Sequence, residues 1–459
     1  MALRRGLALL VAGAYFMEIL DGTVIAPAAP SIAADFGVAA VDVNVAITAY
    51  ALTLGVLIPV SGWLARRFGV RPIFLAALVV FTVASAGCAA APSLPFLTGT
   101  RVLQGIGGAL MVPVGRLAIL RTTPKSDLVR AIAYLTWPAL LAPVVAPLVG
   151  GALAEYASWR WIFLINLPLG VVALIVALRI VPVLSESSPG PLDLVGFALT
   201  AAGVAALIVA AEGLRSGFGV GVAVALAVAV LGLGAAVRHL GRTPEPLLDL
   251  RTLRVRSFRT TALSGSVYRA LITAIPFLLP LFFQVGFGWS ATSAGLALGA
   301  LFLGNVGIKP ATTPLMRRFG IRTVMLASIA VGAACLVGMA LLPVGAPRGG
   351  ALALLVVSGV VRSTGFTAYN SLAFADVSAS DMNHASTLQS TLQELGVGLG
   401  VAVGALLVRF GDAVGMIEGA AGPFRVAFAG LALLMLVPAV QAARLPRSAG
   451  DAVTGRARG

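Results

Sequence analysis

The sequence predicts an all-α integral membrane protein with fourteen membrane-spanning helices. The chain is 59% hydrophobic and only 11% charged, and its arginines cluster between long apolar runs. A soluble protein of this length would carry about 25% charged residues. The mean hydropathy of +1.01 agrees with a membrane location. The net charge of +15 is therefore not interpreted as a nucleic-acid-binding surface.

A spanning helix needs about 20 mostly apolar residues, and fourteen runs meet this requirement. The first run contains Glu18 and Asp21 and is too long to be a cleaved signal peptide. The predicted spans lie near residues 7–29, 43–64, 72–92, 96–119, 131–154, 160–181, 192–212, 217–237, 260–284, 292–312, 321–343, 349–371, 384–408 and 424–444.

The positive charges predict the orientation of the chain. With the N-terminus inside the cell, the cytoplasmic segments hold 22 of the 32 Lys and Arg residues and the outer segments hold five. Because positive charges concentrate in cytoplasmic loops, both termini are expected in the cytoplasm, with the protein in the inner (plasma) membrane.

A basic octapeptide occurs twice. LARRFGVR occupies Leu64–Arg71, LMRRFGIR occupies Leu315–Arg322, and six of the eight positions are identical. One copy follows span 2 and the other follows span 10, so spans 1–6 and 9–14 are predicted to be two copies of one unit. Parallel repeats related by an axis along the membrane normal are a transporter architecture. The alternative is that each copy is only a positively charged turn.

This repeat predicts the domain organisation. Residues 1–181 form an N-terminal six-helix bundle, and residues 259–446 form a C-terminal six-helix bundle. Residues 182–258 contain the inserted spans 7 and 8 with a cytoplasmic linker. Residues 447–459 are expected to be a disordered cytoplasmic tail.

Four motifs resemble those of the major facilitator superfamily, and specifically its fourteen-span drug:proton antiporters of the EmrB/QacA type. GWLARRFGVR (62–71) is similar to the signature between spans 2 and 3, and LDGTVIAPAAPSIAADFG (20–37) to that of span 1. RVLQGIGGALMVPVGR (101–116) is similar to the span-4 motif, and APVVAPLVGG (142–151) to the antiporter motif of span 5. Three short stretches also resemble the MdtD-like branch of this family: SGWLA, MVPVGRL and WIFLINLP.

The resemblance implies residues that control conformational change, with two departures from the family pattern. The family normally has an acidic residue where this chain has Arg66, and the lost carboxylate puts that latch in doubt. In span 5 the family's glycines are replaced by Ala142 and Ala146. Three prolines in span 5 predict a bend in that helix. The implied conformational residues are Gly62, Arg66, Arg67, Gly69, Arg71, Pro147, Gly150 and Gly151.

Ionisable residues inside the spans are the predicted site, because each costs a few kcal/mol or more at the bilayer centre. Glu18 and Asp21 are three residues apart and are expected on one face of span 1. Asp21 is the stronger candidate for proton binding, because the family motif has an acid there. Glu18 either selects cations or pairs with Arg101, and Glu394 in span 13 is the next candidate.

Further residues are expected near a central cavity, with packing as their alternative role. Arg116 and Lys309 lie near predicted helix ends and are expected to extend toward the interface. The possible cavity residues are Tyr15, Tyr50, Tyr134, Tyr268, Arg269 and Arg362.

The predicted function is proton-coupled export of small amphiphilic or cationic compounds by a secondary transporter that is not an enzyme. One alternative is export of an anionic metabolite or a metal–carboxylate chelate, and another is a membrane sensor that no longer transports. The expected partners are a small-molecule substrate, protons and the lipid bilayer, without nucleic acid. No cofactor or bound metal is predicted, and the protein is expected to act as a monomer.

Overall fold

A computed structural model of the chain describes residues 5–38, 40–183, 190–217, 219–415 and 419–454. Every regular element in these ranges is helical. Within these ranges the structure describes only the backbone at residues 26, 40, 41, 126, 136–140, 143, 144, 147, 148, 151, 152, 154, 155, 215, 216, 291, 292 and 452.

Within the described ranges, fourteen long helices follow the predicted spans in order. Helix α6 is interrupted at Ile165, α10 is interrupted at Ile308, and α14 is interrupted at Met435. The helices are α1 Arg5–Phe36, α2 Asn44–Phe68, α3 Val70–Ala89, α4 Leu94–Thr122, α5 Leu128–Tyr156, α6 Trp161–Ile180, α7 Leu194–Ser216, α8 Val220–Leu240, α9 Arg256–Gly286, α10 Ala291–Gly307 with Lys309–Phe319, α11 Ile321–Ala340, α12 Arg348–Ala373, α13 Met382–Val414 and α14 Gly422–Ala443.

The helix lengths support a membrane-spanning bundle. Twelve described helices are long and apolar enough to cross a membrane, and a thirteenth span is counted when the two parts of α10, bent by 51°, are taken together. The fifth predicted span falls in α5, a continuous helix of 29 residues. At 1.5 Å per residue such a helix is about 44 Å long, which exceeds the hydrocarbon core of a bilayer.

The two halves of the chain repeat the same packing. In the first half α1 packs on α5, α4 packs on α2 and α3, and α6 packs on α3. In the second half α9 packs on α13, α12 packs on α10 and α11, and α14 packs on α11. Each pair in one half corresponds to a pair eight helices later. The predicted two-bundle architecture is therefore confirmed.

Glycines bring the paired helices together at equivalent places. A Cβ atom at Gly150 of α5 would lie 2.5 Å from the Val24 carbonyl oxygen of α1, and one at Gly400 of α13 would lie 2.3 Å from the Ala270 carbonyl oxygen of α9. Only a residue without a side chain permits such backbone contact. Pro147 and Gly151 of the same predicted motif have side chains outside the described residues, as do Pro138 and Pro143, so the predicted bend stays a prediction.

The two octapeptides form the same turn. Gly69 has φ 91° and ψ 152°, and Gly320 has φ 82° and ψ 153°. Each glycine N–H donates to the carbonyl four residues earlier, on Ala65 and Met316, at 2.9 Å. Positive φ explains the glycine at both positions. We call the end of the bundles that carries these two turns the RRFG end.

The inserted helices are anchored at their polar ends. Helices α7 and α8 pack on each other, and α7 also contacts α2 and α13. Asp193 caps α7 by accepting hydrogen bonds from Gly196 N–H and the His239 imidazole, both at 2.8 Å, and from Leu247 N–H at 3.2 Å. Partial burial raises the pKa of Asp193, but these hydrogen bonds outweigh it and hold the pKa below its usual range.

The expected disordered tail is ordered as far as Thr454. Residues Asp451–Thr454 form a short helix, and the Val453 side chain is fully buried. The reason is apolar contact, because Leu445 and Ala449 join the main hydrophobic core beside it. Residues 455–459 lie outside the description.

Candidate functional site

Asp21 lies in a closed polar network within the first half. Its carboxylate is fully buried and forms a salt bridge with the buried Arg101 guanidinium of α4. The amides of Gln104 and Asn166 each donate to Asp21 Oδ1 at 2.8 Å. Gln104 also donates to Ser85 Oγ at 2.7 Å. The network therefore joins helices α1, α3, α4 and α6.

Aromatic rings cover the other side of the Arg101 guanidinium. Its central carbon lies 4.1 Å from the centre of the Tyr50 ring and 5.8 Å from that of Phe163. The Tyr50 hydroxyl donates to the Glu18 backbone carbonyl at 3.2 Å. Tyr50 therefore packs within this network. A buried carboxylate held by two amide donors and one cation is typical of helix–helix attachment.

Glu18 faces a different environment from Asp21. Its side chain is half-buried, and its Oε2 atom has no hydrogen-bond partner among the described residues. Glu18 interacts electrostatically with Glu394 of α13 and Arg116 of α4. Three residues turn a helix through about 300°, which leaves about 60° between the two side chains. Of the two alternative roles given to Glu18, the structure does not support pairing with Arg101, because the Arg101 guanidinium binds Asp21.

The second half contributes an acid and a base to the same region. Glu394 is half-buried and interacts electrostatically with Arg269 of α9. The Arg269 guanidinium lies 4.6 Å from the centre of the Phe366 ring, and its Nε atom is buried without a hydrogen-bond partner among the described residues. Glu18 and Glu394 therefore lie in a central region between the two halves, with Arg116 and Arg269 as basic neighbours.

Arg116 links the halves instead of extending to the interface. Its side chain is 7% exposed, and Nη1 donates to Gln393 Oε1 of α13 at 3.1 Å. Gln393 in turn donates to Asn370 Oδ1 of α12 at 2.5 Å. Lys309 is also buried, with Nζ donating to Thr367 Oγ1 at 2.7 Å. The expected extension of these two cations to the interface is wrong, because each has a buried polar partner.

A second set of contacts joins α2 to α13 at the RRFG end. The Asn383 side-chain amide donates to the Gly62 carbonyl at 3.0 Å. A Cβ atom at Gly62 would lie 2.0 Å from Thr387 Oγ1, so glycine is required for this approach. Arg66 Nη1 lies 2.7 Å from His384 Nε2. We call these contacts the α2–α13 seam. The loss of the family's acidic residue had suggested that Arg66 makes no polar contact here. Its contact with His384 shows that it does.

The apolar core shows where the halves are joined. One hydrophobic cluster contains residues of both halves, from Leu7 to Val453. A second cluster, around Ile25, Trp159 and Phe163, belongs to the first half alone and lies at the opposite end from the RRFG turns. The described core is therefore continuous between the halves at the RRFG end.

The remaining predicted cavity residues are divided among several places. Tyr15 and Arg116 line a small internal space near the RRFG end. Tyr268 is 1% exposed, stacks near Tyr369 with ring centres 5.2 Å apart, and donates to the Val361 carbonyl, so its role is packing. The Arg362 guanidinium lies 5.6 Å from the centre of the Phe302 ring. Tyr134 lines a separate cavity between α5 and α10.

Two six-helix halves with acids embedded between them define a secondary transporter. The profile of the Major Facilitator Superfamily matches residues 11–401, and the chain belongs to this family. It is a multi-span membrane transporter and not an enzyme.

The curated relatives agree with this assignment. The putative multidrug resistance protein MdtD of Cronobacter sakazakii (strain ATCC BAA-894) is 37% identical over 452 residues, which cover 95% of this chain and 94% of the relative. The protein of the same name from Klebsiella pneumoniae (strain 342) is 35% identical over 452 residues, covering 96% and 94%.

A solved structure supports the fold. The crystal structure of the human organic anion transporter MFSD10 (TETRAN) has a TM-score of 0.70 with 15% sequence identity. The match covers 96% of this chain and 100% of that chain. At this identity the likeness shows the fold alone.

Sequence reasoning missed several polar residues of the site. Gln393, Asn370 and His384 have no charge that marks them inside an apolar run, yet each joins a contact within or between the halves. The available signal was the polar spacing of α13, where Asn383, Thr387 and Gln393 are buried.

Proposed function

We propose that the protein exports small amphiphilic or cationic compounds in exchange for protons. The observation that carries this proposal is the half-buried Glu18, with one unpartnered oxygen and Glu394 as an electrostatic neighbour in the other half. Two acids in one membrane-embedded region repel each other, and binding a proton or a cationic substrate relieves that repulsion. Competition between proton and substrate for this region couples their movements.

Glu18 replaces Asp21 as the preferred proton carrier. Asp21 is fully buried and already holds Arg101, Gln104 and Asn166, so its proton exchange requires the whole network to open. Glu18 needs no such rearrangement. Asp21 and Arg101 are proposed to hold the first half together while the halves move.

The contacts at the RRFG end support an outward-facing state. The seam between α2 and α13 and the Arg116–Gln393–Asn370 chain join the halves at this end. We propose that this end is cytoplasmic and that both termini lie in the cytoplasm, as the 22-to-5 charge distribution indicates. The boundaries at 181, 258 and 446, action as a monomer and location in the inner membrane are parts of the same proposal.

An anionic substrate is the second candidate. Arg269 Nε and Arg362 Nη1 are buried without hydrogen-bond partners among the described residues. Unpaired buried guanidinium donors favour a carboxylate or a carboxylate chelate. The third candidate, a sensor without transport, loses its main support, because Arg66 still contacts the second half.

The deciding experiment uses proteoliposomes with an imposed pH gradient and cationic, neutral and anionic test compounds. Wild-type protein should move the cationic or amphiphilic compounds together with opposite proton flux. Glu18→Gln should fold and lose gradient-driven transport, because the neutral amide cannot release a proton. Glu212→Gln removes a different acid, in the inserted helix α7, and is the matched control.

The outcomes separate the candidates. Transport of only the anionic compounds would favour the second candidate. Absence of transport of every compound would favour a sensor. Wild-type coupling in Glu18→Gln would refute the assignment of Glu18 and direct attention to Glu394.

A further inference from the structure

The two seams between the halves are related by the repeat but are filled differently. At the α2–α13 seam, protein atoms meet directly through Gly62, Asn383, Arg66 and His384. At the equivalent α5–α10 seam there is a cavity of about 640 Å³. Its lining includes Arg130, Tyr134, Lys309, Pro310, Thr313 and Arg317.

The residues on the two seams correspond in position. Arg317 has the place in the second octapeptide that Arg66 has in the first. Tyr134 precedes Gly150 by sixteen residues, as His384 precedes Gly400, and both glycines make the same contact with a neighbouring carbonyl. Where one seam has an arginine–histidine contact, the other therefore has an arginine and a tyrosine lining an open space.

The charged residues that line the cavity are all basic. Arg130 comes from the first half, Lys309 and Arg317 come from the second, and no acid is among the described residues that line the space. Asp127 lies 3.8 Å from Arg130 Nη1 and does not line the cavity. Lys309 is buried and its Nζ already donates to Thr367, so Arg130 and the exposed Arg317 are the cations that can reach a ligand. Two guanidinium groups from two helices favour an anion with several oxygens, because one phosphate accepts from both.

We propose that this cavity binds the phosphate group of an anionic phospholipid, which joins α5 to α10 and completes the second seam. Basic pockets between membrane helices on the cytoplasmic side are suited to anionic headgroups. The exposed edges at Pro310 and Pro314 offer an apolar surface for the glycerol and upper acyl chain. Free inorganic phosphate has the same headgroup chemistry and is the other source to be tested.

The test measures binding of a fluorescent phosphatidylglycerol to the full chain in nanodiscs of phosphatidylcholine. Arg317→Gln and Arg130→Gln should each weaken binding about fivefold, since one cation near a membrane surface contributes about this factor. Arg318→Gln is the matched control. Arg318 is the adjacent arginine, its guanidinium lies 5.3 Å from the centre of the Phe319 ring, and it does not line the cavity.

Competition experiments distinguish a lipid phosphate from a free phosphate ion. Competition by unlabelled phosphatidylglycerol but not by inorganic phosphate supports a lipid site. Competition by inorganic phosphate alone would overturn the lipid assignment and identify a soluble anion. Equal binding in all variants, or equal weakening in Arg318→Gln, would overturn the site itself. This readout is binding alone, so it does not depend on transport.

Discussion

The contact between Arg66 and His384 predicts a pH-dependent seam. Arginine has only donors, so His384 Nε2 accepts and its imidazole is neutral in this contact. Protonating His384 places two cations side by side. The other charged groups near the imidazole are Arg121 at the end of α4, Asp249 before α9 and Asp381 before α13. The described contact therefore holds at high pH and is lost as His384 becomes protonated.

The magnitude follows from two contributions. The lost hydrogen bond is worth about 1 kcal/mol, because both side chains are only half-buried. The repulsion between the two cations adds about 1 kcal/mol at water-like screening and more where water is excluded. Together they change the open-to-closed equilibrium at the RRFG end by about 30-fold.

The assay measures the distance between spin labels on Phe68 and Ala379, two exposed positions on either side of the seam, at pH 8 and at low pH. Cys88 and Cys335 are buried and are replaced first. The wild type should open as pH falls. Arg66→Asp should close as pH falls, because a carboxylate binds the protonated, positively charged imidazole more strongly than the neutral ring. His384→Gln accepts without titrating and should remove this part of the pH dependence.

The wild type and Arg66→Asp are expected to respond to falling pH in opposite directions. Opening of Arg66→Asp with falling pH, to the same extent as the wild type, would refute the proposed role of this pair. The response would then belong to the central acids Glu18 and Glu394.

Three further predictions concern structure. Asp21→Asn should destabilise the protein by about 3–5 kcal/mol, because it leaves Arg101 buried without a counter-charge. Thermal unfolding in nanodiscs measures this, and a loss no larger than that of the exposed Asp42→Asn would contradict it. Gly62→Val should open the α2–α13 seam, since its Cβ would lie 2.0 Å from Thr387 Oγ1. Adding Thr387→Ala should partly restore the spin-label distance, and no recovery would contradict direct contact. Asp193→Ala should cost about 1 kcal/mol near neutral pH through the lost helix cap. Because the folded-state pKa of Asp193 lies below its usual range, this stabilisation is present above the unfolded-state pKa and is lost as pH falls through the folded-state pKa. The difference in unfolding temperature from the wild type should therefore shrink below about pH 4, and a constant difference would indicate a cap that does not depend on charge.

The sequence by itself determined the membrane class, the order of the helices, the repeat and the family. These properties are local or periodic. A run of about 20 apolar residues specifies a span because every backbone polar group must be satisfied within the helix. The repeated octapeptide specified equivalent turns, because glycine with positive φ ends α2 and the second part of α10 in the same way.

Only the tertiary structure decided which charges meet. Glu18 and Asp21 are three residues apart, yet one faces the central region and the other binds Arg101. In an apolar helix no periodicity fixes the rotation about its axis, so a difference of about 60° cannot be read from spacing. The partner of Arg66 is 318 residues away, and only packing of α2 against α13 brings His384 to it. The chemistry of the site therefore depends on helix rotation and on contacts between the halves, which local sequence does not encode.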